Sequence, residues 1–300
     1  MGLKLHRYIN FNNKKFSVRF FNQRLPFIYI LFNFLYRKFV VNPNINDKEI
    51  SQFHKSGFTK IDISLKKEIE EYKDKFFIND ENQKDTLKKV PLELNEIHKK
   101  DLATKIKRKL SPIIKKLEKY FNCDVFISDI EIWRNYNHND TLNLGVSHFG
   151  NHFHQDSYTM TYSKIFVNLM DINEDDGPLE VIPREKRNSF IKSFNYKDMD
   201  NYNLFGDKTL IKKNVGKIGD CCLFSSSQIF HRAGVPKNYR DNMQIILVTI
   251  PKKLSEELHT IDNEKLFEKN YEYFQKFTKP YSIIKVIRLF FILFKYKLNA

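Results

Sequence analysis

The chain has 300 residues, 41% hydrophobic and 15% aromatic, a composition that excludes a disordered or fibrous protein and provides for one large domain or two small ones. Three cysteines (Cys123, Cys221 and Cys222), two of them adjacent and none in a C-x-x-C pair, exclude a disulfide framework and argue against structural zinc. The net charge of +15 is unevenly placed: residues 1–41 hold eight basic side chains and 273–300 hold six, with no acid in either, while 42–272 carries 37 basic against 36 acidic.

In chain order, residues 25–41 open with an apolar run that ends at Arg37-Lys38, and Asn42-Pro43 breaks the pattern. That run begins late and no small-residue cleavage site follows it, so no secretory signal is readable and a cytoplasmic setting is expected. A short helix is predicted over 47–56, with Asp47 near its start and Gly57 in the stop position. FTKIDI (58–63) reads as a strand. Residues 64–121 are helical by pattern, with a restart at Ser111-Pro112, where serine caps and proline takes the first helical position.

From Cys123 to Ile250 the character changes. The runs DVFISDIEIW, SKIFVNLMDI, PLEVI, DCCLFSS and MQIILVTI alternate with turn clusters such as NEDDGP and GKIGD. This spacing predicts an antiparallel barrel or jelly roll rather than βαβ units. Trp133 and the phenylalanines of these runs are expected in the barrel core, and Cys221-Cys222 in a buried strand. Residues 134–152, rich in asparagine, read as a mobile loop over a pocket mouth. Helix returns over 252–277.

The candidate chemistry lies in His154-Gln155-Asp156. On a strand, side chains at i and i+2 share a face, so the imidazole and the carboxylate would aim at one point. A distant histidine on a neighbouring strand would complete a set of two histidines and one carboxylate with open positions, the pattern of Fe(II) oxygenases. His231 is the candidate. The triplet alone is compatible with a histidine-rich loop, because His138, His148, His152 and His154 fall within 17 residues. The pair His152 and His154 is therefore a rival ligand set for a cupin-like site.

FHQDSYTMTYSKIFVNLMDINEDDGPLEVIP (153–183) resembles the phytanoyl-CoA dioxygenase family, in which an H-x-D precedes a strand, an acidic turn and a segment leading into Ile-Pro. QFHKSGFTKI (52–61) and GKIGDCCLFSSSQIFHRAGVPKNYR (216–240) resemble the family's opening and second half in the same order, so the likeness spans about 47–250. It implies a mostly β fold with flanking helices around a double-stranded β-helix (jelly-roll, cupin-like) core. It also implies an Fe(II)- and 2-oxoglutarate-dependent dioxygenase with His154, Asp156 and His231 as iron ligands. Arg240 would hold the distal carboxylate of 2-oxoglutarate, which a guanidinium fork can pair bidentately, with Lys164 and Asn168 reaching the same co-substrate. Arg232 competes with Arg240 but adjoins His231 and should face the other way. Arg240 follows His231 by only nine residues, so the loop between them must be tight. Arg184-Glu185-Lys186 stands where the family often has Gly-Ser-His, a departure that bears on lid and substrate contacts. Asp156 counts against the halogenating relatives, which bind chloride in place of that carboxylate.

The expected organisation is a basic N-terminal segment (1–46), a dioxygenase domain (47–250) and C-terminal helices (251–300). Both basic ends are too short in their apolar runs to span a bilayer and fit helices lying on an anionic membrane face, or packing on the barrel. A small-molecule or lipid-linked substrate follows, at the inner face of a membrane. Nucleic acid does not fit ends that present broad aliphatic faces. A barrel that has lost turnover and serves as a scaffold is the alternative from another functional class.

Overall fold

The computed structural model describes residues 9–10, 15–16, 41–42, 46–79, 89–122, 124–137, 153, 156, 162–187, 189 and 208–250. The basic ends at 25–41 and 281–300 and the helix expected over 252–277 lie outside them, Val41 apart. No helix among the described residues is long and apolar enough to cross a membrane.

Helix α1 (Lys48–Ser56) begins where the Asp47 carboxylate accepts the Ile50 N–H at 3.0 Å and ends at Gly57, whose φ of 73° suits a residue without Cβ. Strand β1 (Phe58–Ser64) and helix α2 (Lys66–Glu70) follow, then strand β2 (Lys89–Pro91) and helix α3 (Glu96–Phe121). Strand β2 was not anticipated by the pattern of 64–121, nor does α3 restart at Ser111: Pro112 lies inside one continuous 26-residue helix. Proline in a helix interior costs about 3 kcal/mol against alanine. The buried stripe Leu102, Ile106, Leu110, Ile113 and Leu117 runs on both sides of it. Each such side chain contributes about 1.5–3 kcal/mol on burial, so packing outweighs the one lost hydrogen bond.

Besides the two-residue strands Ile9–Asn10 and Lys15–Phe16, which pair only with each other, the remaining strands are β3 (Asp124–Tyr136), β4 (Ser163–Asn168), β5 (Leu179–Ile182), β6 (Lys212–Lys213), β7 (Asp220–Phe224), β8 (Phe230–Ala233) and β9 (Tyr239–Ile250). They form a six-stranded antiparallel sheet in the order β1-β7-β4-β9-β3-β2 and a three-stranded sheet in the order β8-β5-β6. From β4 onward the chain passes from the large sheet to the small one and back, then repeats the exchange at β7, β8 and β9. This is the winding of a jelly roll, so the mostly β architecture with flanking helices stands.

Alternation along the strands sorts the side chains. Ile165, Val167, Cys221, Leu223, Met243, Ile245 and Leu247 leave the outer face of the large sheet and pack with α1, α2 and α3 in the main core. The opposite parity closes one end of the space between the sheets with Phe58, Phe166, Cys222, Phe224, Leu179, Val181 and Ile229. The adjacent cysteines thus lie on opposite faces of a buried strand, and burial pushes the Cys221 thiol up to about 12. The tight connection from β8 to β9 depends on two glycines. A Cβ at Gly177 would lie 2.4 Å from the backbone of Val235 and Pro236, and one at Gly234 would lie 2.7 Å from Gly177.

Candidate functional site

On the inner face of the large sheet, register sets polar side chains opposite one another. Arg240 pairs with Asn135, Asn242 with both Trp133 and Asn168, Ile246 with Lys164, and Lys89 with Asn135. On the small sheet His231 pairs with Val181, while Arg232 and Glu180 occupy the reverse face. The His231 ring meets Phe224 of the large sheet edge-on at 5.2 Å, which puts the imidazole in the space between the sheets.

His231 is buried and its Nε2 lies 3.8 Å from Asp156 Oδ1. Its Nδ1 is 3.3 Å from the Ile229 carbonyl. A carbonyl only accepts, so Nδ1 is the donor in that bond and Nε2 is the ring nitrogen on the carboxylate side. Asp156 lies in no strand of the described residues; its backbone N–H donates to Ser226 O at 2.8 Å, tying it to the turn just before β8. Its Oδ2 is 3.0 Å from Lys164 Nζ, and both side chains are 13% exposed. His148, His152 and His154 lie outside the described residues, as does the loop expected over the pocket mouth beyond Asn137. Arg134, Asn135 and Tyr136, expected in that loop, belong to β3, because β9 supplies ladder partners for all three. Among the described residues no group of three His, Cys, Asp or Glu side chains converges.

Two donors on one metal at about 2.0–2.2 Å each can be no more than about 4.4 Å apart. The 3.8 Å between Nε2 and Oδ1 fits that limit. An imidazole and a carboxylate are also the donor types suited to a non-haem iron.

Arg240 is 1% exposed. Its Nη2 donates to Asn135 Oδ1 at 3.3 Å, and the same oxygen takes a shorter bond of 2.6 Å from Asn242 Nδ2. Among the described residues its Nε and Nη1 have no hydrogen-bond partner. The guanidinium lies 5.8 Å from the Phe166 ring. Burial pushes its pKa down to about 10, offset by Glu180 and Asp241, so it is still a cation at neutral pH. Asn168, 1% exposed, accepts from Asn214 at 3.3 Å and stands opposite Asn242, one step from Arg240 through Asn135. Arg232 is the expected outward competitor: it bonds Glu180 at 2.6 Å and lies over Phe153.

Some partners were missed from sequence. Arg184, buried, donates to the His54 carbonyl and to Gln228 Oε1 at 2.7 Å, so it clamps helix α1 to the turn that holds Asp156 through Ser226. The departure at 184 thus places a structural clamp beside the site. Trp133 is not barrel core. It is half-buried, donates to Glu131 Oε2 at 3.1 Å, and carries the Lys89 ammonium over its ring at 3.7 Å. Glu131, Trp133 and Asn135 share a face of β3, and the pairing with Gln244, Asn242 and Arg240 of β9 decides which face it is.

No protein-family model and no curated protein matches the chain. Solved structures that align with it include HygX from Streptomyces hygroscopicus with nickel and 2-oxoglutarate bound, at 14% identity over 68% of this chain and 87% of that one, TM-score 0.41. The non-heme alpha ketoglutarate dependent epimerase SnoN from nogalamycin biosynthesis aligns at 12% identity over 67% and 82%, TM-score 0.42. EctD from S. alaskensis with bound Fe aligns at 14% identity over 68% and 76%, TM-score 0.40.

Proposed function

We propose that this chain is an Fe(II)- and 2-oxoglutarate-dependent dioxygenase of the phytanoyl-CoA dioxygenase kind, acting on a small-molecule substrate. The observation that carries the reading is Arg240. A fully buried guanidinium whose Nε and Nη1 have no hydrogen-bond partner among the described residues is costly to maintain unless an anion completes it, and it lies on the same face of the large sheet as Lys164, the ion-pair partner of Asp156. A carboxylate is the planar anion that such a fork fits.

His154, Asp156 and His231 would hold the iron, Arg240 the distal carboxylate of 2-oxoglutarate, and Asn168 the polar wall beside it. Lys164, at 3.0 Å from Asp156 Oδ2, would keep that oxygen occupied and leave Oδ1 for the metal. When bound, iron and 2-oxoglutarate together supply oxygen activation, with 2-oxoglutarate oxidised to succinate and CO2 as a substrate C–H bond is oxygenated. The chain's own part is to fix the donors, neutralise the co-substrate's far end and keep the inner face apolar through Phe166 and Phe224.

Mixing full-length protein anaerobically with Fe(II) and 2-oxoglutarate should develop a weak visible charge-transfer band that neither component produces alone. No band with both present overturns the reading. A band without succinate formation in air, for any substrate offered, favours the scaffold alternative. The finer reading, a lipid-linked substrate at a membrane face, is supported by the acid-free basic ends. Flotation with anionic vesicles should carry the full chain upward, and protein that stays in the dense fraction rejects it.

A further inference from the structure

Lys89 reaches the inter-sheet space from β2, the edge strand of the large sheet, and plays no part in holding iron or co-substrate. Its Nζ sits 3.7 Å over the Trp133 ring and 3.9 Å from Glu131 Oε2, too far for a hydrogen bond. Glu131 Oε2 is already engaged by the indole N–H. The side chain is 40% exposed, so it can be reached by a ligand. Desolvation by surrounding protein pushes its pKa down to about 8. The charges that act on it there are Glu131, Lys164, Asp156 and Arg240.

Register sets Lys89, Lys164 and Arg240 on one face of the large sheet, with Lys89 and Arg240 on either side of Asn135. Lys164 is held by Asp156 and Arg240 would be taken by the co-substrate. On the proposed function, Lys89 is then the cation of this face left for the substrate. A cation over an aromatic face, with no hydrogen bond among the described residues and a long carboxylate contact, is set to receive an anion.

We infer that Lys89, with Trp133 and Glu131, forms a substrate subsite for a carboxylate or phosphate group, so that the oxygenated substrate is an anion.

Trp133 is the chain's single tryptophan, so its emission reports on this subsite alone. Full-length protein saturated with 2-oxoglutarate would be titrated with butyrate, with methyl phosphate and with neutral butyramide at pH 7. A saturable change in emission is expected with one or both anions and not with butyramide. The half-saturating concentration should rise at least about 10-fold in Lys89→Gln, the loss of one charge-assisted contact, and stay within a few-fold in Lys89→Arg. The stronger of the two anions identifies the head group. Equal responses to butyrate and butyramide, or wild-type anion binding in Lys89→Gln, overturn the subsite. Failure of the dioxygenase reading is distinguishable, because the charge-transfer band would then be absent while the anion dependence on Lys89 could still be recorded.

Discussion

Replacing Arg240 with methionine is expected to stabilise the protein and abolish its grip on 2-oxoglutarate. Arg240 is 1% exposed, with Nε and Nη1 unpartnered among the described residues and a single 3.3 Å bond to Asn135. That bond is expendable, because Asn135 Oδ1 keeps the 2.6 Å bond from Asn242. Exchanging buried ions for a hydrophobe of similar volume is neutral or stabilising by about 1–4 kcal/mol. A gain of about 1–2 kcal/mol would raise Tm by roughly 2–6 °C for a domain of this size. Against it, the two charge-assisted bonds lost to a carboxylate are worth about 3–6 kcal/mol, a 100- to 10,000-fold loss of affinity. Thermal unfolding with and without 2-oxoglutarate measures both effects, since the ligand's stabilisation vanishes with its affinity. A methionine variant that melts well below wild type would make Arg240 a structural residue. Depression of its pKa only to about 10 keeps the guanidinium charged through neutral pH, so co-substrate affinity should not fall as pH rises from 6 to 8 on this account.

Asp156→Ala should lose the charge-transfer band and turnover together. Removal of a metal ligand exceeds the 10- to 100-fold cost typical of disturbing only a ligand's supporting partner, so a loss on the order of 1,000-fold or more is expected. The same change removes the carboxylate 3.0 Å from the Lys164 ammonium, whose side chain is 13% exposed. Breaking a buried pair from one side costs about 3–5 kcal/mol; with this residual exposure about 3 kcal/mol is expected in chemical denaturation. Asp156→Ala combined with Lys164→Met should recover most of that stability and none of the band. A band of wild-type intensity in Asp156→Ala would remove the carboxylate from the ligand set.

The two effects have opposite signs for stability because the two charges are paired differently. The Asp156 carboxylate is paired in charge with the Lys164 ammonium at 3.0 Å, and its backbone is anchored to Ser226. Arg240 has only part of its donor capacity met by the described residues. The first kind of group is expected at a fixed structural anchor. The second is expected where a ligand completes the site.

Local signals in the sequence were enough for much of this. Asp47 and Gly57 marked the ends of α1 because a cap acts within four residues, and the β-branched runs marked β3, β4, β7 and β9 because alternation is a property of neighbours. The parity that sets His231 against Arg232 was equally local, and the tertiary structure agrees with it. Pro112 was misread for the opposite reason: its local penalty is real, but a buried stripe spanning both sides decides the matter. What no local rule could provide is register. Lys89 lies in a region of helical pattern, and only its pairing with Asn135 makes it a strand residue facing Trp133. The Asn135–Arg240–Asn242 cluster likewise unites residues more than 100 positions apart. Periodicity tells each strand which residues share a face. The ladder between strands, a long-range and cooperative choice, tells them which face looks inward and whom they meet there.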